Sequence, residues 1–132
     1  MTKPHRGTIF VGDAEILSQA AFPGHQYITR LRAADCARTA TPGAFVHIQC
    51  CAGIPMRRPL SILRADAAAG WIEVLYKVVG QGLQALAEAL PGTRVSVLGP
   101  IGNGFRPDPA RPAALLVGGG VGIPPLLYLA GV

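Results

Sequence analysis

The chain is poor in the residues that carry hydrolytic or metal chemistry. It has 132 residues, of which three are cysteines and three are histidines, and only 14% are charged. Cys36, Cys50 and Cys51 do not have the spacing of a metal site, and no paired carboxylates or activated nucleophile indicate hydrolysis. The cysteines are expected to be reduced thiols of a cytoplasmic protein. Structural or surface roles are expected for the three histidines, which are His5, His25 and His47.

Long basic runs and an amino-terminal apolar segment are also missing. The net charge is +5, but Arg57 and Arg58 are the only adjacent basic pair, and aromatic residues make up 6% of the chain. Nucleic-acid binding is therefore not expected, whereas a mild positive excess suits an anionic ligand or an acidic partner protein. Residues 1–7 are polar and basic with no apolar segment behind them, so the sequence predicts no signal peptide.

Charge is entirely absent from residues 113–132, a stretch as long as a membrane span. It contains five glycines and the pair Pro124-Pro125. Glycine weakens a helix and proline breaks one, so these residues argue against a spanning helix. They favour a buried strand at 114–117, a glycine turn at 118–122 and a helix from Ile123. A membrane-anchored protein that uses this segment is the alternative.

What is abundant is apolar and turn-forming sequence. Half of the residues are apolar, and 17 glycines and 12 prolines are scattered along the chain. This pattern predicts a mainly β structure of about six short strands joined by tight turns. The strand candidates cover 8–11, 14–20, 26–32, 44–51, 57–63, 71–79 and 94–98, and 33–41 holds a short helical turn.

One helix is predicted by the spacing of apolar residues. Leu83, Leu86, Ala87 and Leu90 fall on one helical face, and Pro91-Gly92 ends it. Residues 99–105 then form a glycine-rich loop, and 106–112 are polar and proline-rich, as interdomain linkers are. Because a single strand and helix cannot bury both faces of the strand, 113–132 indicate the start of a larger α/β unit.

Two short motifs could bind a phosphate. In Arg58-Pro59-Leu60-Ser61 the arginine offers a planar fork and the serine a hydroxyl; the alternative is an edge strand with a surface arginine. Gly80-Gln81-Gly82 joins a strand to the predicted helix, whose first N–H groups can bind an anion. The alternative there is an ordinary glycine turn.

A third motif, Gly118 to Pro124, places four glycines between a predicted strand and a helix with proline in its first turn. It is not a dinucleotide fingerprint, because that pattern requires glycine where the chain has Ile123. The geometry still suits a pyrophosphate, and close packing of strand on helix is the other explanation.

The motifs are more specific together than singly. R-P-L-S, E-V-L-Y-K-V-V-G-Q-G, G-P-I-G-N-G-F and L-V-G-G-G-V-G-I-P-P follow one another with domain-like spacing. This combination resembles the ferredoxin–NAD(P) reductase superfamily and, within it, the electron-transfer subunits of bacterial dihydroorotate dehydrogenases. The resemblance covers residues 8–132.

The resemblance implies a six-stranded antiparallel Greek-key barrel that binds FAD, followed by the start of an α/β lobe for NAD(H). It divides the chain into a flavin-binding barrel at 1–106, a linker at 107–112, and the first strand–turn–helix of a truncated NAD-binding domain at 113–132. Arg58 would pair with phosphate, Ser61 would reach the isoalloxazine or ribityl region, and Gly82 would hold the pyrophosphate with the next residue. The implied flavin contacts are Arg58, Pro59, Leu60, Ser61, Leu75, Tyr76, Lys77, Gly82 and Leu83, and the NAD site would begin at Gly118, Gly119, Gly120 and Gly122.

The chain departs from the family at two points. Leu83 stands where relatives usually have threonine, so a hydroxyl contact to the phosphate is lost while the backbone N–H remains. The family also places a cysteine cluster for a [2Fe–2S] centre near its carboxyl terminus. Such a centre takes four thiolates, and these 132 residues contain three cysteines.

The function implied is electron transfer from NADH through FAD to an iron–sulfur centre and a catalytic dihydroorotate dehydrogenase subunit, in pyrimidine biosynthesis. A hydrogenase- or ferredoxin-linked NAD(P) reductase subunit is the alternative within the same class. A non-enzymatic β-barrel binding module is the alternative from another class. These residues alone are expected at most to bind flavin, with FAD and FMN both open, and not to turn over NADH well.

Overall fold

The computed structural model describes residues 9–132. They form six strands, three helices and a short 3₁₀ turn at Gly120–Gly122. The strands are β1 (Phe10–Phe22), β2 (Gln26–Arg32), β3 (Phe45–Gln49), β4 (Arg58–Asp66), β5 (Trp71–Lys77) and β6 (Arg94–Ile101), and the helices are α1 (Ala34–Thr39), α2 (Gly80–Glu88) and α3 (Ile123–Ala130).

The six strands close into an antiparallel barrel in the order β1-β2-β5-β4-β3-β6. The predicted mainly β fold with a six-stranded antiparallel barrel is therefore confirmed. The strand predicted at 26–32 is confirmed as β2, and its residues alternate: Thr29 and Leu31 face the interior and are fully buried, while Arg30 and Arg32 face outward. Closure leaves the barrel without an open edge.

The interior of the barrel is filled by branched apolar side chains from every strand. This core forms because alternate residues of each strand point inward. Its fully buried members include Ile16, Leu31, Val46, Ile48, Ile62, Ile72 and Val74, and Leu86 of α2 joins them.

Several boundaries differ from the sequence expectations. The candidates at 8–11 and 14–20 belong to one strand, β1, which begins at Phe10 rather than at residue 8. Residue 8 and His5 lie outside the described part of the chain. β6 extends to Ile101 and takes up the start of the predicted 99–105 loop. Leu90 lies beyond the end of α2 and is 73% exposed, so it is not part of the buried helix face.

The predicted buried strand at 114–117 is wrong. These residues form neither strand nor helix, and Leu115 is 88% exposed. A strand needs a neighbour for its N–H and C=O groups, and the barrel, being closed, offers no free edge to it. The helix expected from Ile123 is confirmed as α3, which lies against β4 and buries Pro124 and Tyr128.

Among residues 9–132 no helix is long and apolar enough to cross a membrane. The charge-free segment that raised this alternative contains α3, which has only eight residues.

Candidate functional site

The first turn of α2 presents unpaired backbone donors. Val79 precedes the helix, and no side chain caps its first N–H groups. The first turn also holds no acidic residue. Gly80 has φ +79°, a conformation that glycine adopts without strain. These features leave the positive end of the helix open to an anion.

Arg58 at the start of β4 lies beside this helix end. A β-carbon placed on Gly82 would lie 3.5 Å from Cγ of Arg58, and one placed on Gly80 would lie 3.8 Å from its Nη2. Within the described residues no hydrogen bond or ion pair engages the Arg58 guanidinium. The structure thus brings together a free guanidinium and an uncapped helix terminus from segments more than twenty residues apart.

Cys50 lies beneath the same spot. Its Sγ would be 3.8 Å from a β-carbon on Gly82. Burial, and then the neighbouring Cys51, raise the pKa of the Cys50 thiol to about 11, and the nearby Arg58 opposes this shift. The thiol therefore stays protonated and adds no negative charge to the site at neutral pH. Sequence reasoning missed Cys50, since nothing in its local pattern distinguishes it from a core residue.

The end of β5 forms the wall of two adjacent clefts. One, of about 160 Å³, is lined by Gln26, Leu75, Tyr76, Lys77, Gly120 and Val121. The other, of about 450 Å³, is more open and is lined by His25, Val78, Gly80, Gln81 and Gln84. His25 of the second cleft and Gln26 of the first are consecutive residues, as are Val78 and Lys77. The first cleft lies at the glycine motif at 118–122, and the second lies at the start of α2.

The residues predicted on β5 take different places in this wall. Lys77 is exposed, Leu75 is half-buried, and the Tyr76 side chain points into the barrel with its hydroxyl 3.0 Å from Oγ1 of Thr29. Burial raises the pKa of Tyr76 to about 12, with the Thr29 hydrogen bond opposing the shift. The Tyr76 phenol is thus a neutral core group.

The remaining residues of the first two motifs also differ in their burial. Leu60 and Leu83 are buried in the core, whereas Pro59 is exposed and Ser61 is half-buried on the outward-facing side of β4. Leu83 therefore stabilises α2 by packing. Because α2 begins at Gly80, the N–H of Leu83 is the first that bonds within the helix, and the free donors are those that precede it. Pro59 pairs with His47 of β3, and the pairing of β4 with β5 begins only at Ile62, so the missing N–H of Pro59 interrupts no hydrogen bond to β5.

The glycines of the third motif have different surroundings. A β-carbon on Gly118 would come within 2.7 Å of Cδ1 of Leu126, so close packing applies there. Nothing lies within 4 Å of such an atom on Gly119, Gly120 or Gly122, and all of them are exposed. Open space beside these glycines lets another molecule approach the backbone.

Sequence reasoning also missed the cleft residues His25 and Gln84, whereas Gln81 is part of the predicted glycine motif. His25 is the one described non-glycine residue with a positive φ, at 57°. Pro23 and Gly24, which precede His25, are typical of a turn. The local sequence does not show that this turn lies beside α2.

The rest of the described chain contains no second candidate site built from the three motifs. No group of three His, Cys, Asp or Glu side chains within residues 9–132 is placed to hold a metal ion. A cavity of about 270 Å³ between β1, α1 and β6 contains none of the three motifs.

Similar proteins share both the sequence and the barrel. The chain is 47% identical over 93 residues to the dihydroorotate dehydrogenase B (NAD(+)) electron transfer subunit of Bacillus caldolyticus, covering 67% of this chain and 36% of that protein. It is 43% identical over 119 residues to the corresponding subunit of Geobacillus thermodenitrificans, covering 87% and 46%. No protein-family model matches the chain.

Among solved structures, the ferredoxin reductase in carbazole 1,9a-dioxygenase, in its FAD apo form, superposes with a TM-score of 0.77 at 26% identity, covering 93% of this chain and 40% of that one. The chain spans less than half the length of each of these three proteins. The agreement of sequence, motif order and closed barrel confirms the resemblance to the ferredoxin–NAD(P) reductase superfamily and to the electron transfer subunits of dihydroorotate dehydrogenase B.

Proposed function

We propose that this chain holds a flavin dinucleotide along the two clefts at the end of β5, with its phosphates between Arg58 and the first turn of α2. The observation that carries the proposal is the free Arg58 guanidinium beside an uncapped helix terminus. A phosphate accepts hydrogen bonds from both groups, and both carry positive charge toward it. The neutral Cys50 thiol next to them leaves this charge uncompensated.

Different residues of the chain bind different parts of the flavin. Arg58 pairs with the phosphates, and the free N–H groups in the first turn of α2, which include that of Gly82, donate to them. Leu75, the Tyr76 backbone and Lys77 line the wall along which the rest of the flavin lies, and Ser61 provides a hydroxyl near the flavin ring or its ribityl chain. The flavin, when bound, supplies two-electron exchange with a nicotinamide and one-electron exchange with an iron–sulfur centre.

The exposed glycines at 119, 120 and 122 extend the site toward a second nucleotide. Their open surface and their place at the end of the smaller cleft suit the start of an NAD(H) site beside the flavin. The division into a barrel at 1–106, a linker at 107–112 and the start of an NAD-binding domain remains part of this proposal.

For the whole protein we propose transfer of electrons from NADH through FAD to an iron–sulfur centre and a catalytic dihydroorotate dehydrogenase subunit. The support is the similarity to electron transfer subunits of dihydroorotate dehydrogenase B, which are 43–47% identical over the matched residues. The iron–sulfur ligands would lie in a part of the protein that these 132 residues do not include. A ferredoxin-linked reductase is the second candidate, favoured by the superposition on the carbazole dioxygenase reductase.

Titration of FAD with the chain, followed by flavin fluorescence, tests the proposed site. The Kd should rise at least about tenfold in Arg58→Ala, because a charge-assisted hydrogen bond to phosphate is lost. Arg64→Ala removes the same charge from the opposite end of β4, where Arg64 pairs with Glu73 at 3.1 Å. This control should leave the Kd unchanged.

Equal weakening by the two substitutions would show a general charge effect and contradict the proposed site. A folded wild-type chain that binds no FAD would favour the non-enzymatic binding module.

A further inference from the structure

Gln19 of β1 faces the interior of the barrel because of an irregularity in the strand. The register of β1 with β2 shifts between Ile16 and Ser18, so β1 advances three residues from Ile16 to Gln19 while β2 advances two from Leu31 to Thr29. Three residues of regular strand would place Ile16 and Gln19 on opposite faces. The bulge places both on the inner face.

There the Gln19 amide binds the carboxyl end of α2. Its Nε2 donates to the carbonyl oxygens of Leu86 at 2.6 Å and of Ala89 at 3.1 Å. Carbonyls in the last turn of a helix have no partner within the helix. Gln19 therefore anchors the carboxyl end of α2, while Arg58 lies beside the amino end. The two hydrogen bonds join residues that are 67 and 70 positions apart in the sequence.

The other end of the Gln19 amide is itself held in place. Oγ1 of Thr29 donates to Oε1 of Gln19 at 2.5 Å and lies 3.0 Å from the hydroxyl of Tyr76. Thr29 and Tyr76 are both buried. These hydrogen bonds join β1, β2 and β5 to α2. On β5 they end at Tyr76, which is one of the residues that line the smaller cleft.

We infer that Gln19 is a positioning residue for the flavin phosphates: by anchoring the carboxyl end of α2 it sets where the free N–H groups of the first turn, which include that of Gly82, lie relative to Arg58. This inference rests on the proposed function. Gln19 itself does not touch the ligand, since its contacts are to Thr29 and to the far end of the helix.

Two substitutions distinguish the role of the Gln19 amide NH₂ group, which donates to α2, from that of the amide oxygen, which accepts from Thr29. Gln19→Met has a similar length and makes none of the hydrogen bonds, and Gln19→Glu keeps the acceptor for Thr29 while losing both donors to α2. Gln49→Met, on β3, is the matched control, because Gln49 is also a half-buried glutamine on a barrel strand and, among the described residues, makes no side-chain hydrogen bond to α2. If Gln19→Met does not fold, Gln19→Asn shortens the side chain while keeping it polar.

The Kd for FAD is measured at a temperature where each variant is fully folded, together with amide hydrogen exchange at Leu83, the first N–H that bonds within α2. Both Gln19 variants should weaken FAD binding about tenfold and speed exchange at the first turn of α2, while the Gln49 variant changes neither. A purely structural role would lower the unfolding temperature but leave the Kd of the folded chain unchanged, and that result would overturn the inference.

The exchange rates keep this inference separate from the proposed function. If the wild-type chain binds no FAD, the proposed function fails. Unchanged exchange at Leu83 in the Gln19 variants would overturn the positioning role on its own.

Discussion

Arg57 and Arg58 are neighbours in the chain, but their side chains have different surroundings. Arg57 donates to the carbonyl oxygens of His47 and Ser96, each at 3.2 Å, and to Oγ of Ser96 at 2.8 Å, so it joins β3 to β6. Arg58 makes no such bond and lies over Gly82. The sequence identified the pair as basic, but only the contacts distinguish a structural arginine from one left free for a ligand.

Alanine substitution should separate the two roles. Arg57→Ala should lower the free energy of unfolding by about 2 kcal/mol, because three hydrogen bonds from a charged group are lost. Arg58→Ala should change it by less than about 0.5 kcal/mol, as for a surface substitution, while weakening FAD binding. Urea unfolding followed by circular dichroism measures both, and the reverse order of stabilities would contradict the assignment.

Buried thiols make the stability of the chain sensitive to alkaline pH. Burial raises the pKa of Cys36 from its ordinary value of 9.0 to about 12. Between these values the folded state keeps a proton that the unfolded state releases. The stability contributed by the protonated thiol is therefore fully present below pH 9 and is lost as the pH rises from 9 toward 12.

Removing this thiol should flatten the pH dependence. In Cys36→Ala the fall of unfolding free energy per pH unit above pH 9 should be smaller by up to about 1.4 kcal/mol, the value for one proton. Ala37→Gly, a buried neighbour on α1, should lower stability at every pH without changing the slope. Chemical denaturation at a series of pH values gives these slopes. Identical slopes in wild type and Cys36→Ala would contradict burial of this thiol as the cause of the alkaline sensitivity.

At the scale of elements, local pattern predicted most strands and the central helix. β2, β3, β5 and α2 lie within or close to the predicted ranges, because alternation and turn residues act over a few positions. The bulge in β1 and the unpaired state of 114–117 depend on what lies opposite these residues. Partners distant in sequence decide both features, so the local pattern could not predict them.

The docking of α3 on the barrel gives a prediction of its own. Tyr128 is buried and its hydroxyl donates to the carbonyl oxygen of Ala40 at 3.1 Å, while Pro124 is also buried. A chain ending at residue 112 should keep a cooperatively folded barrel and lose about 3 kcal/mol, roughly the burial of one large side chain and one hydrogen bond. Thermal unfolding measures the loss. A truncated chain without a cooperative transition would show that 113–132 are integral to the barrel and would contradict the proposed domain boundary.

At the scale of the whole molecule, closure of the barrel is what assembles the candidate site. Arg58, the end of β5 and the start of α2 come together because β4 and β5 are neighbours in the strand order. The sequence predicted these motifs singly, and the family resemblance implied that they share a ligand. Strand order and the Gln19 contacts to α2 depend on long-range pairing, which no local pattern contains.

The whole-molecule proposal is that the 132-residue chain holds a flavin in the site formed by Arg58 and α2. The visible absorption spectrum of the purified chain, recorded after incubation with excess FAD and desalting, tests it without further assumptions. Flavin bands should remain with the wild-type chain and with Arg64→Ala, and should be lost with Arg58→Ala. A folded wild-type chain that emerges colourless, or an Arg58→Ala chain as yellow as wild type, would contradict the proposed flavin site.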